Sequence, residues 1–352
     1  MIEVNKTRNS QIDFVKGILI WLVVLGHTLQ YIKHGGDREF FSDTTFSFIY
    51  LFHMPLFMAV SGYLLKPVGH GGLVPLIKRR GAQIVVPMLV WVLITFVMQI
   101  VMDLFSNSFD SLALTKILVI SLVSQYWFLW AVFLSTIFLY ILGRAGRYEW
   151  FAATLLSMIL VLLPLHQVPA AALTLVMLSF VFPFFLAGHA FARFDEILKR
   201  IMKSSYFFAV EILAWLVTLA LWILWKPGYY SYLNLLDFVE EPYSVSILFT
   251  GGVFSSVAVA LGIRRLYPFL AGTSFAAWIE DLGRKSLSIY LTQTFVFVVI
   301  ARYLSSGWPN MGSVIGLLTS FAFSIGLVLA LQLLTSFGSA KFNPVLFGAK
   351  AR

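Results

Sequence analysis

The chain has 352 residues, of which 60% are hydrophobic and 12% charged, with a mean hydropathy of +0.88; an average soluble domain carries roughly 25% charged residues. That composition excludes a soluble enzyme or a disordered chain, and the absence of cysteine excludes a disulfide framework, a thiolate nucleophile and a cysteine metal site. The net charge of +9 invites a nucleic-acid reading, but the placement of the basic residues gives it another cause.

Apolar segments follow one another to the end of the chain, so we read 1–352 as one integral membrane domain of the all-α, polytopic class. About ten helices are expected, at 17–33, 46–65, 84–104, 116–142, 149–164, 170–191, 206–225, 244–262, 286–304 and 313–336, each near the roughly 20 residues that cross a hydrocarbon core. The first is too long for a signal-peptide core and lacks a small-residue cleavage site, so it is expected to stay in the mature protein. The fourth is long enough to break near Ser124 and Gln125, the fifth is short, and 267–282 reads as a re-entrant or interfacial segment. With the N-terminus in the cytoplasm, 20 of the 25 Lys and Arg residues fall on cytoplasmic segments. The positive-inside rule then places both termini in the cytoplasm and explains the charge without nucleic acid. No phosphate-binding loop, dinucleotide fingerprint or metal-binding spacing is present, and no metal is expected.

The first segment, "IDFVKGILIWLVVLGHTLQYI", carries Asp13, Lys16 and His27. Eleven helical steps separate Lys16 from His27, about three turns, so both project from nearly one face roughly 16 Å apart. An imidazole at that depth faces either a functional cavity or a neighbouring helix that satisfies its nitrogens. In the second segment, "FHMPLFMAVSGYLL", His53 falls at a depth similar to that of His27, and Pro55 interrupts the backbone ladder beside it. Ser61 and Gly62 read as close-packing residues.

Other polar positions stay open. The stretch "KPGYYSYLNLLDFVEEPY", with Asp237, Glu240 and Glu241, could stack on and bond to sugars, or its tyrosines could sit at the membrane interface. Trp127 has the same two readings. His70 and His189 fall near the cytoplasmic side, in solvated or capping roles. Glu211 faces a cavity or snorkels to the inner interface.

The pieces "QIDFVKGILIWLVVLGH", "FHMPLFMAVSGYLL", "IKRRGAQIVVPMLVW", "YWFLWAVFL" and "LGRKSLSIYL" together resemble the acyltransferase-3 family of membrane O-acyltransferases, in particular its fucose 4-O-acetylase and exopolysaccharide acetyltransferase branch. The resemblance implies a multi-pass protein of the inner membrane that moves acetyl from acetyl-CoA, a substrate and not a resident cofactor, to a sugar hydroxyl. The acceptor would be a surface or exported polysaccharide or its lipid-linked precursor, and the further partners membrane lipids and polysaccharide assembly proteins. It implies His27 as general base, Lys16 and Arg80 as the donor-binding cations with Arg79 left open beside them, and Asp13 as the group that holds Lys16 or else a helix-start carboxylate; His53, Trp127 and Gln293 are the candidate cavity residues. The chain departs from the family's pattern with Lys16 where arginine is usual, Gln83 where a further arginine is common and Gln293 where histidine is often found. Lysine lacks arginine's bidentate fork, and a neutral amide does not exchange protons near pH 7. A second class also fits the buried polar groups: a transporter or flippase of lipid-linked saccharide, with His27, His53 and Glu211 as a proton path.

Overall fold

The computed structural model describes residues 9–36, 38–65, 72–105, 111–162, 173–194, 206–224, 242–303, 313–337 and 343–348. These form helices α1 (Ser10–Thr28), α2 (Thr44–Tyr63), α3 (Leu73–Arg80), α4 (Val86–Phe105), α5 (Ser111–Ile120), α6 (Trp127–Leu142), α7 (Glu149–Leu162), α8 (Leu173–Arg193), α9 (Tyr206–Ile223), α10 (Pro242–Leu270), α11 (Ser274–Arg284), α12 (Ser286–Tyr303), α13 (Ser313–Phe337) and α14 (Asn343–Phe347). No strand occurs among the described residues. The protein is an all-α, multi-pass membrane protein. Seven described segments are long and apolar enough to cross a membrane, and Phe207–Ile223 and Ser286–Ala301 are shorter apolar helices.

Three helices run on through a π-helical turn: α1 into Leu29–Lys33, α3 through Gly81–Val85 into α4, and α5 into Ser121–Gln125. The last is the break expected near Ser124 and Gln125, and Tyr126 (φ −113°, ψ 35°) carries the chain from it into α6. The third expected helix begins at Leu73 and not at residue 84, because Gly81 keeps helical dihedrals (φ −58°, ψ −48°) and nothing stops the helix before it. Arg80 therefore rides on a helix and not on a loop. The expected 267–282 segment is divided at Gly272 (φ 85°), a backbone setting that favours glycine. Its second half is α11, started by the Thr273 side chain, which accepts the Ala276 amide at 3.1 Å.

α1 lies against α11, α2, α12 and α13. A Cβ on Gly17 would fall 1.9 Å from the Ile279 carbonyl oxygen, and one on Gly283 would fall 1.8 Å from that of Asp13. Backbones approach this closely only where side chains are missing, the usual way apolar helices associate without a hydrophobic driving force between them. The same device joins α2 to α8, where Gly62 meets the Phe185 carbonyl and Gly188 that of Ala59. The Trp21 indole donates to the Ser324 hydroxyl at 3.2 Å and fixes α13 on the remaining side of α1. At the far end of α1, Asp43 caps α2 by accepting the amides of Thr45 and Phe46 at 2.8 and 3.0 Å. Its other oxygen accepts from Lys33 and from His34 Nε2, which ties α1 and α2 together as antiparallel neighbours.

Candidate active site

Where α1, α2, α6 and α12 converge, a cavity with about 60 Å³ open to water-sized occupants is lined by His27, His53, Gln125, Trp127, Tyr290 and Thr294. That is room for only a few waters. His27 is half-buried and stacks on Phe297 at 5.4 Å, with Tyr31 parallel at 6.5 Å. His53 is fully buried, edge-on to Tyr50 at 4.4 Å.

The ring nitrogens are assigned by their partners. His27 Nδ1 lies 2.8 Å from the Val23 carbonyl oxygen, and His53 Nδ1 lies 2.8 Å from that of Ile49. A carbonyl only accepts, so each Nδ1 carries the hydrogen. In the neutral rings both Nε2 atoms are then left as acceptors. The i−4 carbonyls thus fix tautomer and ring orientation together.

On the stripe below, Lys16 Nζ stands 3.9 Å from Asp13 Oδ1, with the Asp13 side chain nearly buried and that of Lys16 less so. Arg80, at the end of α3, keeps its Nε buried with no hydrogen-bond partner among the described residues, whereas Arg79 beside it is exposed. Gln293 is completely buried, and neither of its amide atoms has a described partner. It stands four residues before Phe297, one turn nearer the Lys16 end of α12 on the same face.

The other expected residues separate from the cavity. Glu211 is held by Arg265 from α10, which settles it into an ion pair and not into a channel with the histidines. His189 is buried and not solvated, because α7 covers it: Nε2 is 4.0 Å from Glu149 Oε1 and the ring lies 5.9 Å from Trp150. His70, Asp237, Glu240 and Glu241 lie outside the described residues.

Three features escaped the sequence reading. Gln125 brings an amide to the cavity whose oxygen and nitrogen are both buried without a described partner; leaving such a group unsatisfied costs about 1–3 kcal/mol. On α4, Thr95, Gln99 and Asp103 form a buried polar stripe inside an apolar helix, and its four-residue spacing was visible in the sequence. The third is the Asp43 cluster. Burial there works against the charged carboxylate, but hydrogen bonds from His34, Lys33 and the Phe46 amide outweigh it and hold the carboxyl well below the usual range.

The site is thus a buried polar cavity within a helical membrane bundle, with a cationic group three turns along the same helix. The chain is a member of the acyltransferase-3 family: the family model described as "Acyltransferase domain" matches residues 9–332, and the protein is an acyltransferase. Nodulation protein NolL of Sinorhizobium fredii (strain NBRC 101917 / NGR234) is 30% identical over 301 residues, covering 82% of this chain and 78% of its own. NolL of Mesorhizobium japonicum (strain LMG 29417 / CECT 9101 / MAFF 303099) is 29% identical over 301 residues, covering 82% and 77%. No solved structure matches the chain.

Proposed function

We propose that the protein is an O-acetyltransferase of the inner membrane, moving acetyl from acetyl-CoA to a sugar hydroxyl of an exported or surface polysaccharide or of its lipid-linked precursor. The observation that carries this reading is His27 at the cavity on the same face of α1 as Lys16; with Nδ1 given to Val23, its Nε2 is the acceptor, the form a general base needs. His27 Nε2 takes the proton of the acceptor hydroxyl as its oxygen attacks the thioester carbon, and returns a proton to the leaving thiolate. Lys16, held by Asp13, and Arg80 bind the phosphates of CoA as charge-assisted partners, with exposed Arg79 in a minor part. From Lys16 the pantetheine arm extends along α1 to His27, about 16 Å by helix rise. His53 and Trp127 shape the cavity around the acyl group and the sugar, whereas Gln293, expected there, is buried and is not among the lining residues.

The competing transporter reading needs Glu211 as a proton carrier, and the Arg265 partner argues against that use. Purified protein in lipid vesicles tests the choice directly. With acetyl-CoA and a membrane saccharide extract, the transferase releases CoA thiol and acetylates the saccharide. Saccharide movement across the vesicle wall without thiol release overturns the proposal.

A further inference from the structure

Thioester acyl transfer places negative charge on the carbonyl oxygen, and that oxygen needs an N–H or O–H donor. Most groups around the cavity are already committed. Both histidine Nδ1 hydrogens go to carbonyls and the Thr294 hydroxyl donates to the Tyr290 carbonyl at 2.9 Å, while Tyr50 and Tyr290 each make a further interaction. Trp127 also lines the cavity and, like Gln125, is a half-buried residue. The Gln125 amide nitrogen and oxygen are both buried at the cavity with no described partner. It is also the last residue of the π-helical turn before α6, and such turns occur frequently at functional sites.

We infer that Gln125 is a catalytic residue whose side-chain N–H stabilises the oxyanion of the acyl-transfer step. The inference rests on the acetyltransferase reading above. The acceptor oxygen bonds to the thioester carbon while its proton passes to His27 Nε2, and the carbonyl π pair moves onto the oxygen facing the Gln125 amide. When this intermediate collapses, the carbon–sulfur bond breaks, and the departing thiolate takes the proton back from the imidazolium. The amide oxygen of Gln125 remains an acceptor for a neighbouring hydroxyl of the sugar, because the one hydrogen of the reacting hydroxyl goes to His27.

The test compares wild type with Gln125→Met, which is close in volume and has no N–H, in membranes supplied with radiolabelled acetyl-CoA. Transfer is expected to fall about 100- to 1,000-fold, with the KM for acetyl-CoA rising only about fivefold, the loss of one ground-state hydrogen bond. A second measurement needs no folded variant and no acceptor. One CoA analogue replaces the thioester sulfur by methylene and keeps the carbonyl as a ketone; the other is the S-ethyl thioether, which lacks that oxygen. Wild type is expected to bind the ketone at least about fivefold more tightly, one hydrogen bond's worth, and Gln125→Met to lose that preference. Equal binding of the two analogues by wild type, or full transfer by Gln125→Met, overturns the inference. His27→Ala run alongside separates the two claims. If it transfers normally, the general-base reading fails, whereas an inactive His27→Ala beside an active Gln125→Met removes the Gln125 assignment alone.

Discussion

Replacing Gly17 by alanine puts a methyl group where none fits. The new Cβ would stand 1.9 Å from the Ile279 carbonyl oxygen and 2.8 Å from its carbon, and must recede by about 1.1 Å to reach even the 3.0 Å below which such contacts are essentially never found. Both obstructing atoms are backbone, so no rotamer relieves the clash and α11 must move as a body. Overpacking of this kind costs about 1–3 kcal/mol. Gly283 faces the same seam from the other side, against Asp13. Once the helices have parted for one methyl the second meets less resistance, so Gly17→Ala and Gly283→Ala together should cost less than their separate costs combined. Gly326→Ala in α13 is the control, since a Cβ there meets nothing within 4 Å, and it should be neutral or stabilising by up to about 1 kcal/mol. Thermal aggregation of the solubilised protein, read as loss of the monodisperse peak, ranks the four variants. Because Lys16 adjoins Gly17, the KM for acetyl-CoA should rise in Gly17→Ala. If Gly17→Ala melts with wild type while Gly326→Ala does not, the close seam between α1 and α11 is wrong.

Further outcomes follow from the charged groups. Arg80→Ala should raise the KM for acetyl-CoA about 10- to 100-fold, the loss of one charge-assisted hydrogen bond, while Arg79→Ala should change it little; steady-state kinetics in membranes decides. Glu211→Ala should destabilise by about 1–2 kcal/mol, the lower part of the range for a charged hydrogen bond because the Arg265 side chain is half-exposed, and should leave transfer intact. Complete loss of transfer in a stably inserted Glu211→Ala would contradict the purely structural role of the Glu211–Arg265 pair. The Asp43 carboxyl is depressed in the folded protein below its unfolded value, so its contribution to stability is present above the unfolded carboxylate pKa of about 3.9 and is lost as pH falls through the folded value. Asp43→Ala should therefore lower the melting temperature throughout pH 5–8, chiefly through loss of a helix cap worth about 0.5–2 kcal/mol. A deficit that vanishes at pH 7 would contradict the cap.

Much of this was legible because membrane helices announce themselves by composition. The apolar runs located the helices, and helical periodicity put Lys16 and His27 on one stripe. The break at Ser124 and Gln125 was readable from two polar residues in an overlong apolar run. What escaped depends on partners. A π-helical turn inserts one residue and rotates all that follows, so the projection of Gln125 into the cavity cannot be counted from a 3.6-residue period. The burial of His189 needs α7 laid over it, and the pairing of Glu211 needs Arg265, 54 residues away. The 267–282 segment was read as re-entrant or interfacial from its apolar residues, and its second half, α11, has one apolar and one charged face. In the structure the apolar face meets Gly17, while Asp281 pairs with Arg284 and Lys285.

The central claim is that His27 is the base, and the most direct measurement is transfer of radiolabelled acetyl to membrane saccharide by His27→Ala and His27→Gln, at equal membrane levels and with acetyl-CoA binding measured in parallel. The account predicts a loss of about 100-fold or more in both variants with donor binding retained. Transfer at the wild-type rate by either variant contradicts it and leaves His27 a packing residue of α1.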